Sequence, residues 1–214
     1  MNVPSLLRRA EHQAISTVTL GGKVLDLGGE KDAEYLSCLK GSFTVTTLNL
    51  DPEAKPDIVH DLEKTIPLPD ASFDHVLLVN VLEHIFNYRE LLAEATRIVK
   101  PGGSVIIIVP FLFPIHPSPR DYWRFTADAL ERECELAGLR VEKIEPLGSG
   151  VFAARYLMLD RLLPESLRAL DVALCRPLTA VSDRWFAGLA RMMGKRYTPA
   201  EYPLGYLAVA RKRP

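Results

Sequence analysis

Val24-Leu25-Asp26-Leu27-Gly28-Gly29 is the stretch that decides the fold of this chain. An apolar run carries one acid and ends on two glycines. That is how a buried parallel strand stops and lets its backbone turn closely against a ligand. The next polar cluster, Asn49-Leu50-Asp51, begins 21 residues after Gly28. Nucleotide-binding α/β folds place a ribose-binding side chain at about that spacing, ~20 residues on. The two stretches together predict a binder of an adenosine-type cofactor.

Outward from this strand, apolar runs and amphipathic stretches alternate. Residues 1–20 have mixed polarity and read as a helix or arm packed on the domain. Residues 32–40 read as a short helix with Tyr35, Leu36 and Leu39 on one face. Residues 43–50 and 57–59 read as the second and third strands, followed by a proline-rich turn at 67–70. Residues 73–79 are a strongly apolar fourth strand and 88–99 an amphipathic helix, closed by Lys100-Pro101-Gly102-Gly103. Residues 104–109 are apolar throughout, as a strand buried on both faces requires. A helix at 126–137 starts on Thr126 as N-cap and stops at Gly138. Strands follow at 139–144 and 206–210, and between them 151–163 and 178–193 have helical spacing, punctuated by Pro164 and Pro177. Strands alternating with helices imply a parallel sheet covered on both faces.

Composition narrows the function classes. The 214 residues are 48% hydrophobic and 25% charged, which suits one globular core. A formal net charge of -1 gives no reason to expect nucleic acid as partner. Cys38, Cys134 and Cys175 are far apart and form no metal spacing, so a reducing cytoplasm is expected and no metal site. Met1 to Arg9 has no signal-peptide pattern, and no apolar run reaches the ~18 residues of a membrane span.

Five segments in order carry a family resemblance: Val24-Leu25-Asp26-Leu27-Gly28-Gly29, Asp61-Leu62, Leu68-Pro69-Asp70-Ala71-Ser72-Phe73-Asp74, Asn80-Val81-Leu82-Glu83-His84, and Leu92 through Pro101-Gly102-Gly103. With these the chain resembles the class I S-adenosylmethionine-dependent methyltransferases over roughly residues 23–145, with the last strand near 206–210. The resemblance implies an α/β, Rossmann-like three-layer sandwich. Its seven-stranded sheet is mostly parallel, with a helical insert before the last strand. The whole of 1–214 reads as one methyltransferase domain, with a core of about 20–145 plus 204–211 and an insert of about 151–203.

The resemblance also assigns a cofactor site for S-adenosylmethionine. Gly28 and Gly29 let backbone amides approach its amino-acid part, the N-terminus of the following helix suits its carboxylate, and Asp26 suits its ammonium. The family ends its second strand in an acid that grips the ribose hydroxyls. Asn49 stands at that position and Asp51 two residues later, and either Asp51 takes the role or it merely opens the turn at Pro52. Asp61 and Leu62 match the adenine contacts, Asn80 the floor near the reacting centre, and His84 a pocket-shaping position. The family's third glycine is missing here, because Glu30 follows Gly29. A carboxylate at that place would repel a pyrophosphate, which argues against a dinucleotide.

Residues 110–125 form the second unusual segment, with four prolines, five aromatics and an Asp121-Tyr122-Trp123-Arg124-Phe125 run. A loop this apolar must cover something, and its prolines favour a preshaped wall for the acceptor. His116 is the first candidate for accepting the acceptor's proton, followed by Asp121 and Tyr122. Phe113, His84 and Arg124 are expected to contact the acceptor, with Arg124 free to bind an anionic group or pair with Asp121, and Trp123 and Phe125 read as core.

The predicted activity is O- or N-methylation of a small-molecule, sugar or lipid-linked acceptor. Two rivals are carried alongside: a catalytically weak cofactor-binding module, and a nicotinamide-dependent oxidoreductase. The insert is expected to complete the substrate pocket or make a homodimer contact. Its Trp185, Phe186, Leu189, Met192 and Met193, beside Arg184, Arg191, Lys195 and Arg196, also allow contact with a membrane surface.

Overall fold

Residues 24–27 lie at the centre of a seven-stranded sheet. The structure, a computed structural model, describes residues 4–159 and 165–213, with the backbone alone for 165–177. β1 (Thr19–Leu27), β2 (Lys40–Asn49), β3 (Ile58–Val59), β4 (Phe73–Val79), β5 (Val99–Pro110), β6 (Leu139–Leu147) and β7 (Gly205–Lys212) stand in the order β3-β2-β1-β4-β5-β7-β6. β1 pairs in parallel with β2 and β4, and β4 with β5. β7 is antiparallel to both of its neighbours. The order reverses between β1 and β4, and ligands of such sheets bind outside the carboxyl ends of the strands at that switch point.

The sheet is closed on both faces. Val24, Leu25, Asp26 and Leu27 are fully buried, as are Val105 to Val109 of β5. One core layer gathers Leu25, Leu27, Val76 and Leu78 against Leu91, Leu92, Ala95 and Ile98 of α2 (Tyr88–Ile98), and against Leu130 and Cys134 of α3 (Ala127–Leu136). The other layer packs Val24, Leu77, Ile106 and Ile108 against Leu7, Ala14 and Ile15 of α1 (Leu6–Ile15) and Leu157 of α4 (Val151–Leu159). The expected α/β, Rossmann-like sandwich is thus observed. Thr126 caps α3 by accepting from the Ala129 amide, and Gly138 follows that helix with φ of 85°.

Several details differ from the sequence reading. The helix expected at 32–40 is a 3₁₀ turn (Glu34–Cys38), too short for a second face. The strands at 24–27 and 104–109 extend to nine and twelve residues, because pairing partners carry them past their apolar cores. β7 inserts between β5 and β6, a place in the sheet that the sequence reading left open. Pro177 was expected to punctuate the insert, yet α5 (Glu165–Met192) runs through it, and Leu162, Leu163 and Pro164 lie outside the described residues. The buried Asp183 of α5 organises the insert. It accepts from the Phe152 and Ala153 amides at the start of α4 and from the Tyr197 hydroxyl. Val181 and Trp185 of α5 remain exposed. Among the described residues, no helix is long and apolar enough to cross a membrane.

Candidate cofactor and acceptor site

The carboxyl end of β1 presents a buried acid beside two glycines. Asp26 is fully buried, and its Oδ2 accepts from the Tyr35 hydroxyl at 2.5 Å. Its Oδ1 has no hydrogen-bond partner. Burial pushes the Asp26 carboxyl up to about 7, against the opposing bond from Tyr35. Burial and the neighbouring carboxylate push the Tyr35 hydroxyl up as well, so it stays a proton donor. Gly28 turns with φ of 82°, and a Cβ there would overlap Val81. A Cβ on Gly29 would overlap the Asp26 carboxylate itself. An orphaned buried carboxylate oxygen under a glycine turn fits a small ammonium group, as S-adenosylmethionine offers.

The second strand's end works differently from what the sequence suggested. Asn49 does not point a free amide at a ribose. Its Nδ2 donates to the Gly28 and Gly29 carbonyls at 2.8 and 3.3 Å, and its Oδ1 accepts from the Asp51 amide. Asn49 therefore clamps the glycine turn. Asp51 caps the following 3₁₀ turn through the Glu53 amide, and Asp61 likewise accepts from the Glu63 amide, with Lys64 at 3.5 Å. Each acid retains a local structural task where a ligand contact was expected. Leu62 is buried in the core layer.

Asn80 ends β4 with φ of 53°, a left-handed conformation that asparagine tolerates better than most residues. Its Nδ2 donates to Glu11 Oε1 at 3.0 Å, and its Oδ1 is buried without a partner. Glu11 comes from α1 and is itself buried, so its carboxyl is raised by desolvation. Sequence reasoning had no role for Glu11. Its one signal was an acid on the apolar face of α1.

Beyond Asn80, a 3₁₀ turn (Leu82–His84) and the loop after β5 bring together residues that lie more than thirty positions apart. Glu83 is fully buried, and neither of its carboxylate oxygens has a hydrogen-bond partner. His84 Nε2 and His116 Nε2 each stand 3.7 Å from Glu83 Oε1, too long for hydrogen bonds but close enough for strong electrostatic contact. The two imidazoles meet edge to face at 4.9 Å, and Phe113 meets His116 at 5.0 Å. The Glu83 carboxylate, helped by Asp121, holds the His116 imidazole above its ordinary range despite burial.

Asp121 was expected as a second proton acceptor, and its surroundings give it another task. Arg124 binds both of its oxygens, at 2.5 and 2.7 Å, and the His116 amide donates to it at 2.9 Å. The Arg124 guanidinium holds its carboxyl well below the usual carboxylate range, which leaves it a poor base. Of the two roles open to Arg124, the fold takes the pairing with Asp121. Tyr122 is exposed, and its ring lies against Phe86 at 5.4 Å. Phe125 is buried in the core layer with Trp123 packed against it, and Trp123 Nε1 donates to the Ile85 carbonyl at 3.1 Å.

Residues 25–107 match the methyltransferase domain family, a stretch that holds nearly all of the motifs by which the chain resembles the class I methyltransferases. Among curated relatives, demethylmenaquinone methyltransferase of Tropheryma whipplei (strain Twist) is 27% identical over 129 residues, covering 54% of each chain. Demethylmenaquinone methyltransferase of Lysinibacillus sphaericus (strain C3-41) is 28% identical over 109 residues, covering 51% of this chain and 45% of its own. The chain thus spans about half the length of these relatives. An S-adenosylmethionine-dependent methyltransferase from Mesorhizobium loti has the same fold. It superposes with a TM-score of 0.59 at 18% identity, covering 95% of this chain and 98% of that one.

Proposed function

We propose that this chain transfers the methyl group of S-adenosylmethionine to an oxygen or nitrogen of a small-molecule, sugar or lipid-linked acceptor. The observation that carries this reading is the orphaned Asp26 oxygen beneath Gly28 and Gly29, at the same sheet edge as Glu83, His84 and His116. Bound S-adenosylmethionine supplies a methyl group on a sulfonium, already activated toward attack. The protein's part is to align an acceptor and exclude water.

Asp26 holds the cofactor's ammonium, and the glycine turn admits its backbone. Asn49 keeps that turn in shape by bonding its two carbonyls. His116 and His84 meet the acceptor's polar end through Nε2, and Phe113 forms part of the aromatic wall beside them. Asp121 and Arg124 are positioning residues that hold the loop around His116. Asp61, Leu62 and Asn80 complete the cofactor side, with the buried Asn80 Oδ1 free to accept a bond.

Calorimetric titration with S-adenosylhomocysteine tests the cofactor half. An acceptor screen read by mass spectrometry tests the transfer, with a demethylated quinone in the panel because relatives carry the demethylmenaquinone methyltransferase name. Absence of any cofactor binding overturns the reading. Binding without transfer to any acceptor favours the module that kept the fold and lost turnover, which the structural engagement of Asn49 and Asp51 supports.

A further inference from the structure

We infer that Glu83, His84 and His116 form a binding site for one divalent transition-metal ion of the zinc class. The ligand atoms of the three side chains all lie within 4.8 Å of one another. Ligands held at about 2.0–2.2 Å from one ion stand about 3 to 3.5 Å apart, so the two 3.7 Å separations need a slight contraction and the remaining pair, within 4.8 Å, a larger one.

The hydrogen bonds around the cluster decide its chemistry. His84 Nδ1 lies 2.6 Å from the Arg120 carbonyl, and His116 Nδ1 lies 3.2 Å from the Pro114 carbonyl. Carbonyl oxygens only accept, so both Nδ1 atoms carry the proton and donate outward. Asp121 Oδ2, 3.3 Å from His116 Nδ1, strengthens the same arrangement. In the neutral rings both Nε2 lone pairs then face the Glu83 carboxylate. Three acceptors converge there in that state, and even with His116 protonated, as Glu83 favours, no hydrogen bond reaches the buried carboxylate. A metal cation compensates it. Outward donation from Nδ1 to a carbonyl or carboxylate is the arrangement that orients metal-binding histidines.

Two imidazoles and one carboxylate suit zinc, iron(II), cobalt(II) or manganese(II) better than calcium or magnesium. Three protein ligands leave open positions, as catalytic sites do. His116 is the most exposed of the three, so the open side lies toward the loop after β5. An acceptor oxygen or nitrogen would bind the ion there, a role that rests on the proposed methyl transfer, whereas the ion site itself does not.

Titration of the full chain, stripped with a chelator and dialysed, tests the site. Zn²⁺ is followed by calorimetry and Co²⁺ by visible absorption. One equivalent of each is expected to bind. Asp121→Asn should weaken binding by about 10- to 100-fold, as loss of an orienting partner does, and His84→Ala and His116→Ala by more. His60→Ala, remote from the cluster, should leave it unchanged. Because replacing the buried Glu83 endangers the fold, the histidine variants carry the test, with circular dichroism to show that they are folded. No stoichiometric binding, or binding that survives the His84→Ala/His116→Ala pair, overturns the inference. S-adenosylhomocysteine binding, measured in parallel, separates the two readings. Zn²⁺ binding without it sinks the methyl-transfer reading alone, and the converse sinks only the metal site.

Discussion

The Tyr35 hydroxyl donates to Asp26 Oδ2 at 2.5 Å, joining the 3₁₀ turn after β1 to the acid inside β1. This bond fixes one oxygen of a fully buried carboxylate and leaves the other for a ligand. The pair makes the cofactor site sensitive to pH.

Asp26 has a folded value of about 7 against an ordinary carboxylate value, so the folded state binds its proton more tightly. Its contribution to stability is present at low pH and is lost as pH rises through about 7. The full effect is about 4 kcal/mol. Denaturation of the cofactor-free chain from about pH 4 to pH 8 should show this decline, and Asp26→Asn should flatten it. A cationic ligand selects the ionised carboxylate, so S-adenosylhomocysteine should bind about tenfold tighter at pH 8 than at pH 6. An unchanged affinity would place the ammonium elsewhere.

Gly29→Ala should weaken cofactor binding. Its φ is not left-handed, so alanine suits the backbone, but its Cβ would occupy the Asp26 carboxylate's place. Displacing that group should weaken S-adenosylhomocysteine at least about tenfold, the worth of one ~1.4 kcal/mol interaction. Wild-type affinity in this variant would remove Asp26 from the site.

Asn49→Asp separates a clamp from a ribose grip. If the residue grips ribose, an acid should tighten cofactor binding. The structure predicts the reverse, because the new carboxylate would lose both bonds and face the Gly28 and Gly29 carbonyls. The expected cost is about 1–3 kcal/mol of stability together with weaker binding. Thermal melts and calorimetry on the purified variant read both quantities.

Arg124→Ala should loosen the acceptor wall. It removes a two-point bond to Asp121 whose partner is nearly buried, at a cost of about 1.5–3 kcal/mol. The acceptor's KM should rise while cofactor affinity stays unchanged. Equal loss of both would mean that Arg124 supports the fold at large.

Much of this architecture was legible because burial writes itself into composition. A strand covered on both faces must be apolar along its length, and 73–79 and 104–109 are. Thr126 and Gly138 marked a helix through local chemistry, and the structure uses both. The position of β7 was not legible, since a strand's neighbours are chosen by the rest of the sheet. Pro177 falls in the interior of α5, where proline ordinarily kinks or breaks a helix, and nothing in the described structure explains why the helix continues.

The site was legible in part for the same reason. His84, His116, Asp121 and Arg124 were all expected near the acceptor, and the fold brings them together. Their division of labour was hidden, because which acid is paired and which is left bare depends on distances no spacing encodes. Asp121 acquires Arg124, whereas Glu83 acquires no donor. Glu11 meets Asn80 across 69 positions, beyond any local signal.

Glu83 has one more bearing on the molecule. Its main-chain carbonyl accepts from the Tyr122 and Trp123 amides at 2.7 and 3.3 Å, so the returning limb of the long loop is stitched to the residue whose carboxylate anchors the cluster. Floor and far rim therefore travel together as a single piece. The near limb is tied as well, its Phe111 and Leu112 amides donating to the Leu204 and Pro203 carbonyls at 2.7 and 3.3 Å.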